Sequence, residues 1–269
     1  MKLSISNIAL PAFEHDDFLP RLAMLGLSGL EVAPSRRWRN TWQELRATDV
    51  AAYRQAIETA GLEVVGLHSL LFDHQELELF GTTEQRNDLL AFFAHLSAVC
   101  RDLGGRTLIW GGGRHRGAVE PKEAVDRTVE FFGALADRID AHGTCFCIEP
   151  LGANDTDFVH SVFDSLDIVG AVDRASLKVQ IDAKALYDND EFDIVAFRAG
   201  AHALVHYHAN EPGLEVLGAS GKIDHHAAGN YLREIDYDGY VSIEQKMIGP
   251  ENPLSAIEQS VSLLKEAYG

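Results

Sequence analysis

The chain is short of cysteine, of basic side chains and of long apolar runs, and each shortage removes a class of protein. Its three cysteines, Cys100, Cys145 and Cys147, give no even framework of bridges. Cys145 and Cys147 share one face of a strand, where a disulfide has no favourable geometry, so all three read as reduced core residues. No apolar run approaches the roughly 20 residues a membrane helix needs, although 46% of the 269 residues are hydrophobic. The expectation is a globular protein with a substantial core and no membrane partner. Lys and Arg number 23 against 41 Asp and Glu, a net charge of −18, which leaves no broad basic face for a nucleic-acid backbone. The opening "MKLSISNIAL" has one lysine and too short an apolar stretch for a signal peptide. It reads as a first strand, with the cytoplasm as the expected location.

No Pro/Ser-rich linker, charge block or low-complexity tract divides the sequence, so residues 1–269 read as one domain. What recurs is an alternation. β-Branched runs appear as "KLSISNIAL", "GLEVAP", "LEVVGLHSLLF", "RTLIWGGG", "TCFCIEP", "LKVQIDA", "ALVHYHA" and "YVSIEQK", separated or followed by stretches with helical apolar spacing. The pattern predicts eight strands and eight helices. Gly26, Gly61, Gly104, Gly143 and Gly239 are placed to cap helices in the left-handed conformation just before a strand. Eight such units in this length favour closure into a (β/α)₈ TIM barrel over an open sheet, and no G-x-G-x-x-G follows the first strand.

Four of the strands end in a polar residue. Alternation puts Glu149 with Cys145 and Cys147, Asp182 with Gln180, His208 with His206, and Glu244 with Ser242, opposite mostly apolar neighbours. The apolar faces suit the helices, so the polar sets turn into the barrel, at the carboxyl-terminal mouth where barrel enzymes carry their sites. Three carboxylates aimed at one small space repel unless a cation lies between them. Glu149, Asp182, His208 and Glu244 form a hard, mainly oxygen set suited to Mn²⁺ or Mg²⁺, with Co²⁺ and Zn²⁺ as further fits.

The order Glu, Asp, His, Glu on strands five to eight, within "IEP", "QID", "HYH" and "SIE", resembles the xylose-isomerase-like barrel superfamily of sugar isomerases and epimerases. The resemblance covers essentially the whole chain and implies the same four metal ligands. It also implies that Glu149 and Glu244 act as acid and base beside a metal-chelated sugar or sugar phosphate, moving a proton through an enediolate.

Other candidates surround these four. His68, ending strand three, is placed to contact a sugar hydroxyl. In "WGGGRHRG", after strand four, Trp110 is a candidate substrate contact, and the resemblance makes Arg116 a substrate or phosphate contact. Trp38 and Trp42 either cover a sugar face or pack beneath a loop, while Lys184, Asn210, Glu211 and Lys246 lie just beyond ligand positions. Many relatives place a histidine where this chain has Ala185, and several ketose epimerases an arginine where it has Leu214. Those departures count against a standard free-ketose epimerase. A lyase acting on a keto-sugar or keto-glycoside uses the same metal and base, and a non-catalytic sugar-binding barrel is the reading from outside enzymology. Exposed helices or long loops leave room for a homo-oligomer, without an interface signature.

Overall fold

Eight short strands pair in chain order and the last closes onto the first, all parallel. They are β1 (Lys2–Ser6), β2 (Gly29–Val32), β3 (Glu63–Leu67), β4 (Thr107–Trp110), β5 (Cys145–Ile148), β6 (Leu177–Asp182), β7 (Leu204–Ala209) and β8 (Tyr240–Ile243). This architecture comes from a computed structural model that describes residues 1–269. The helices are α1 (Leu19–Met24), α2 (Pro34–Arg37), α3 (Ala47–Thr59), α4 (Thr83–Leu103), α5 (Pro121–Ile139), α6 (Val162–Val172), α7 (Ala183–Asp188), α8 (Ile194–Gly200), α9 (His225–Glu234) and α10 (Pro253–Tyr268). The fold is a (β/α)₈ TIM barrel. No helix is long and apolar enough to cross a membrane.

Local chemistry sets the helix ends. Thr82 and Gln85 form a reciprocal capping box at the start of α4, and Gly104, at φ 86°, closes its other end. Ser161 and Asp164 do the same at the start of α6. Two expectations need correction. There are ten α-helices rather than eight, because α2 and α7 follow their strands almost without a loop. Gly239 is not a left-handed cap: Asp236, at φ 54°, takes that conformation after α9, which a short polar side chain tolerates.

The main apolar core is a shell of 62 buried residues between barrel and helices. Outward residues such as Ile5, Leu30, Phe146, Val179, Tyr207 and Val241 belong to it, and Phe146 stacks on Phe93 of α4 with ring centroids 5.0 Å apart. The barrel interior is different. Its apolar content includes a separate patch of Ile109, Cys145 and Cys147, while Ser6, Glu31, Gln180, His206 and Ser242 are buried there and polar. The three cysteines are free and buried.

Candidate metal centre and active site

Asp182 closes β6 and also begins α7, its Oδ1 accepting the Ala185 N–H at 2.8 Å. That cap fixes the carboxylate and leaves Oδ2 for the barrel mouth. His208, level with Asp182 in the sheet register, brings Nδ1 within 3.4 Å of Glu149 Oε1, 3.7 Å of Asp182 Oδ2 and 3.4 Å of Glu244 Oε2. One ligand atom from each of the four residues lies within 4.8 Å of the others.

A buried carboxylate of β2 lies beneath this set. Glu31 takes the His208 Nε2–H on its two oxygens at 3.1 and 3.0 Å, and accepts the Ser242 hydroxyl at 2.8 Å. Burial alone would raise the Glu31 pKa, but the imidazoles of His208, His206 and His68 outweigh it and hold the carboxyl well below its ordinary range. With Nε2 engaged, Nδ1 of His208 is buried without a hydrogen-bond partner, facing three carboxylates. This is the chemistry a divalent cation satisfies: oxygen-rich donors, one imidazole lone pair, and a carboxylate that orients the ring. Replacing Glu31 by glutamine should therefore lower Mn²⁺ affinity about 10- to 100-fold, read by calorimetric titration.

A model of the xylose isomerase-like TIM barrel family matches residues 19–267. The chain belongs to that family. The D-psicose 3-epimerase of Ruminiclostridium cellulolyticum is 30% identical to it over 128 residues, 47% of this chain and 43% of that enzyme. Its counterpart from Agrobacterium fabrum is 28% identical over 118 residues, 44% of this chain and 40% of that enzyme. In these matches the chain spans less than half the length of the curated relatives. Among solved structures, D-psicose 3-epimerase with D-tagatose from Clostridium cellulolyticum H10 has a TM-score of 0.82 at 19% identity, covering 99% of this chain and 98% of that one. The 3-keto-D-glucoside 4-epimerase of E. coli has a TM-score of 0.80 at 20% identity, covering 99% of both chains. At such identities the superpositions show a shared fold.

In this xylose isomerase-like barrel the four ligand candidates meet a cavity of about 760 Å³, which Glu149, Asp182 and Glu244 line while His208 supports them from below. Several of the other predicted residues are there too. His68 lies with Nε2 2.5 Å from the Ser6 hydroxyl and Nδ1 3.4 Å from Glu244 Oε1. The Asn210 amide donates to Asp182 Oδ2 at 2.6 Å and to Glu244 Oε2 at 2.9 Å. Lys184 lines the cavity, paired with Asp155 at 2.6 Å and Asp188 at 2.8 Å. Trp110 borders it, but its ring packs edge-on against Phe132 and beneath the Arg114 guanidinium.

Others are not brought to the cavity. Arg116 donates instead to the carbonyls of Asp157 at 3.2 Å and Val119 at 2.9 Å. Glu211 is buried against the Gly218 N–H, the Ser220 hydroxyl and His225 Nε2, pinning the segment between β7 and α9. Lys246 pairs with Glu215. Trp38 packs on Tyr53 and Trp42 on Phe92, and neither lines the cavity.

Two supporting residues carried no flag in the sequence, Glu31 and Arg114, while Gln180, which parity turns into the barrel with Asp182, donates its amide to Glu149 Oε1 at 3.1 Å. Arg114 is buried and donates to the carbonyls of Trp110, Glu149, Phe158 and Val159, tying the ends of β4 and β5 to one loop. Burial lowers its pKa to about 10, which leaves it charged. A Cβ on Gly111 would lie 1.8 Å from Glu149 Oε2, so Gly111→Ala must displace that carboxylate. Displacement on this scale is expected to cost about 10²-fold in turnover, with the circular dichroism spectrum retained.

Proposed function

We propose that this chain is a divalent-metal-dependent sugar epimerase or isomerase that moves a proton on a carbon beside a carbonyl, with Glu149 and Glu244 as the acid/base pair. One observation carries the reading: three carboxylates and a bare imidazole nitrogen converge within 4.8 Å and open into a cavity at the carboxyl end of the barrel. The D-psicose 3-epimerases among its relatives support the same chemistry. The donor set favours Mn²⁺, held by Glu149, Asp182, His208 and Glu244. When bound, the metal supplies Lewis-acid polarisation of a sugar carbonyl, which acidifies the neighbouring C–H.

The protein's own groups then handle the proton. Each glutamate turns one oxygen to the ligand cluster, Glu149 Oε1 and Glu244 Oε2, and keeps a second, Oε2 beside Gly111 and Oε1 beside His68. One second oxygen removes the C–H proton and the other carboxyl returns a proton from the opposite side. Return to the same carbon inverts it; return to the neighbouring carbon isomerises the sugar. The surroundings separate the two groups. Burial, with Asp182 and Glu244 adding to it, raises Glu149 to about 7, whereas Glu244 is held low because His208 and His68 outweigh burial. His68 and Asn210 orient Glu244, and Gln180 orients Glu149.

The free, buried cysteines fit a reducing compartment, the cytoplasm. Proton NMR in D₂O of the Mn²⁺-loaded protein with a panel of ketoses and keto-glycosides tests the reading. Metal-dependent deuterium incorporation beside a carbonyl, with an epimer or isomer appearing, is the expected result. Release of an aglycone without one would replace epimerisation by elimination.

A further inference from the structure

The cavity above the ligands has two unlike ends. Carboxylates and amides line the inner end, Phe72 stands at the rim, and the buried Leu71, Leu77 and Leu79 of the same segment between β3 and α4 add apolar wall. Leu214 stands after β7 on the same cavity. Phe72 is 70% exposed, so a phenyl ring is left in water at the rim. Leu214 is held at φ 53°, a left-handed conformation that leucine rarely adopts, by its N–H to the Glu211 carbonyl at 2.8 Å and its own carbonyl to the Lys246 N–H at 2.9 Å. Strain of this kind persists where the surroundings enforce it, and here it puts an isobutyl group on the cavity wall. Gly111, Gly112 and Gly113 also line the cavity: a Cβ would strike Glu149 at Gly111 and Leu71 at Gly113, while Gly112 faces open space.

Charge on and around the cavity rules against an anionic substrate. Lys184 is already paired with two aspartates, and the guanidiniums of Arg114 and Arg116 are committed to backbone carbonyls. His115 faces Asp157 at 3.8 Å. Glu78 and Asp155 add negative charge to the lining. A phosphate ester would find no unpaired guanidinium or ammonium and would meet carboxylates. A volume of about 760 Å³ lies within the range of pockets that enclose drug-sized ligands.

From these features we infer that the substrate is an uncharged keto-glycoside whose sugar ring occupies the acidic inner end and whose apolar aglycone, of the size of an aryl ring, lies against Phe72, Leu71 and Leu214. The inference rests on the epimerase reading for the inner end and adds the outer subsite. Phe72 and Leu214 set selectivity for the aglycone.

Isothermal titration of the Mn²⁺-loaded full chain with phenyl and methyl 3-keto-β-D-glucosides and with D-fructose 6-phosphate tests it, alongside deuterium exchange on the same glucosides. The phenyl glucoside is expected to bind about ten- to a hundredfold more tightly than the methyl one, as burial of a phenyl group predicts. The phosphate ester should bind weakest, and Phe72→Ala and Leu214→Gly should each bring the phenyl-to-methyl ratio towards one. Equal affinities with exchange intact would overturn the subsite and leave the epimerase. Phenyl selectivity without exchange in any substrate would overturn the epimerase and leave the subsite. Tightest binding of the phosphate, a ratio unmoved by both substitutions, or no binding of any sugar would overturn the inference outright.

Discussion

Replacing Glu244 by glutamine is expected to lower kcat by about 10²- to 10⁴-fold, and Glu149→Gln by a comparable factor, because each removes one half of a proton transfer while keeping side-chain volume. The amide retains an oxygen to face the ligand cluster, so the loss should fall on kcat far more than on KM. The two variants should also differ. If one glutamate serves as base towards a given epimer and the other as acid, each variant stops solvent deuterium exchange from one side of the carbon. Exchange measured separately from each epimer in D₂O reads that difference. Turnover retained by either variant would remove it from the proton-transfer pair.

Chelation should silence the protein as completely as either substitution, and its effect is measurable without a substrate. Mn²⁺ at about 100 times its dissociation constant stabilises the folded state by about 2.7 kcal/mol. For a chain of this size that corresponds to a rise in Tm of about 5 to 10 °C, reversed by EDTA. The affinity should depend on pH with a definite sign. Burial, reinforced by Asp182 and Glu244, raises Glu149 to about 7. Burial would lower His208, but Glu31 and Glu244 outweigh it and hold the imidazole well above its ordinary value. Both groups keep protons near neutrality that a cation must displace. Apparent Mn²⁺ affinity should therefore fall as pH drops through about 7, roughly tenfold per unit for each proton released. A pH-independent affinity would show that neither group is a ligand.

The barrel was legible because its signals are local. Strand and helix periods differ, and glycines such as Gly61 and Gly104 mark where one gives way to the other. Parity likewise set Glu149, Asp182, His208 and Glu244 on one side of four strands, and the structure brings them together. The misses have a common cause, which is that a side chain's partners come from distant segments. Glu31 interrupts "GLEV" as Glu149 interrupts its own run, but it sits one position before its strand ends, and only the packed barrel sets it under His208. Arg114 reads as a loop arginine, since nothing nearby in sequence announces four carbonyls gathered from β4, β5 and the 158–159 loop. Helix α7 was invisible because Asp182 is at once the last residue of a strand and the cap of a helix, so no turn residue separates them.

The polar barrel interior carries a consequence for how such a protein can change over time. The apolar shell that holds the fold lies outside the sheet, and the inward residues contribute mainly hydrogen bonds and charge. Along each strand, alternate positions thus answer to different demands: outward ones to packing, inward ones to chemistry. A lineage can exchange residues on the inward set, or lengthen the loops at the mouth, and meet a new substrate while the shell stays as it was. Sequence divergence should accordingly concentrate at one parity of the same eight strands, and a library built on that parity alone is the economical place to look for new activities.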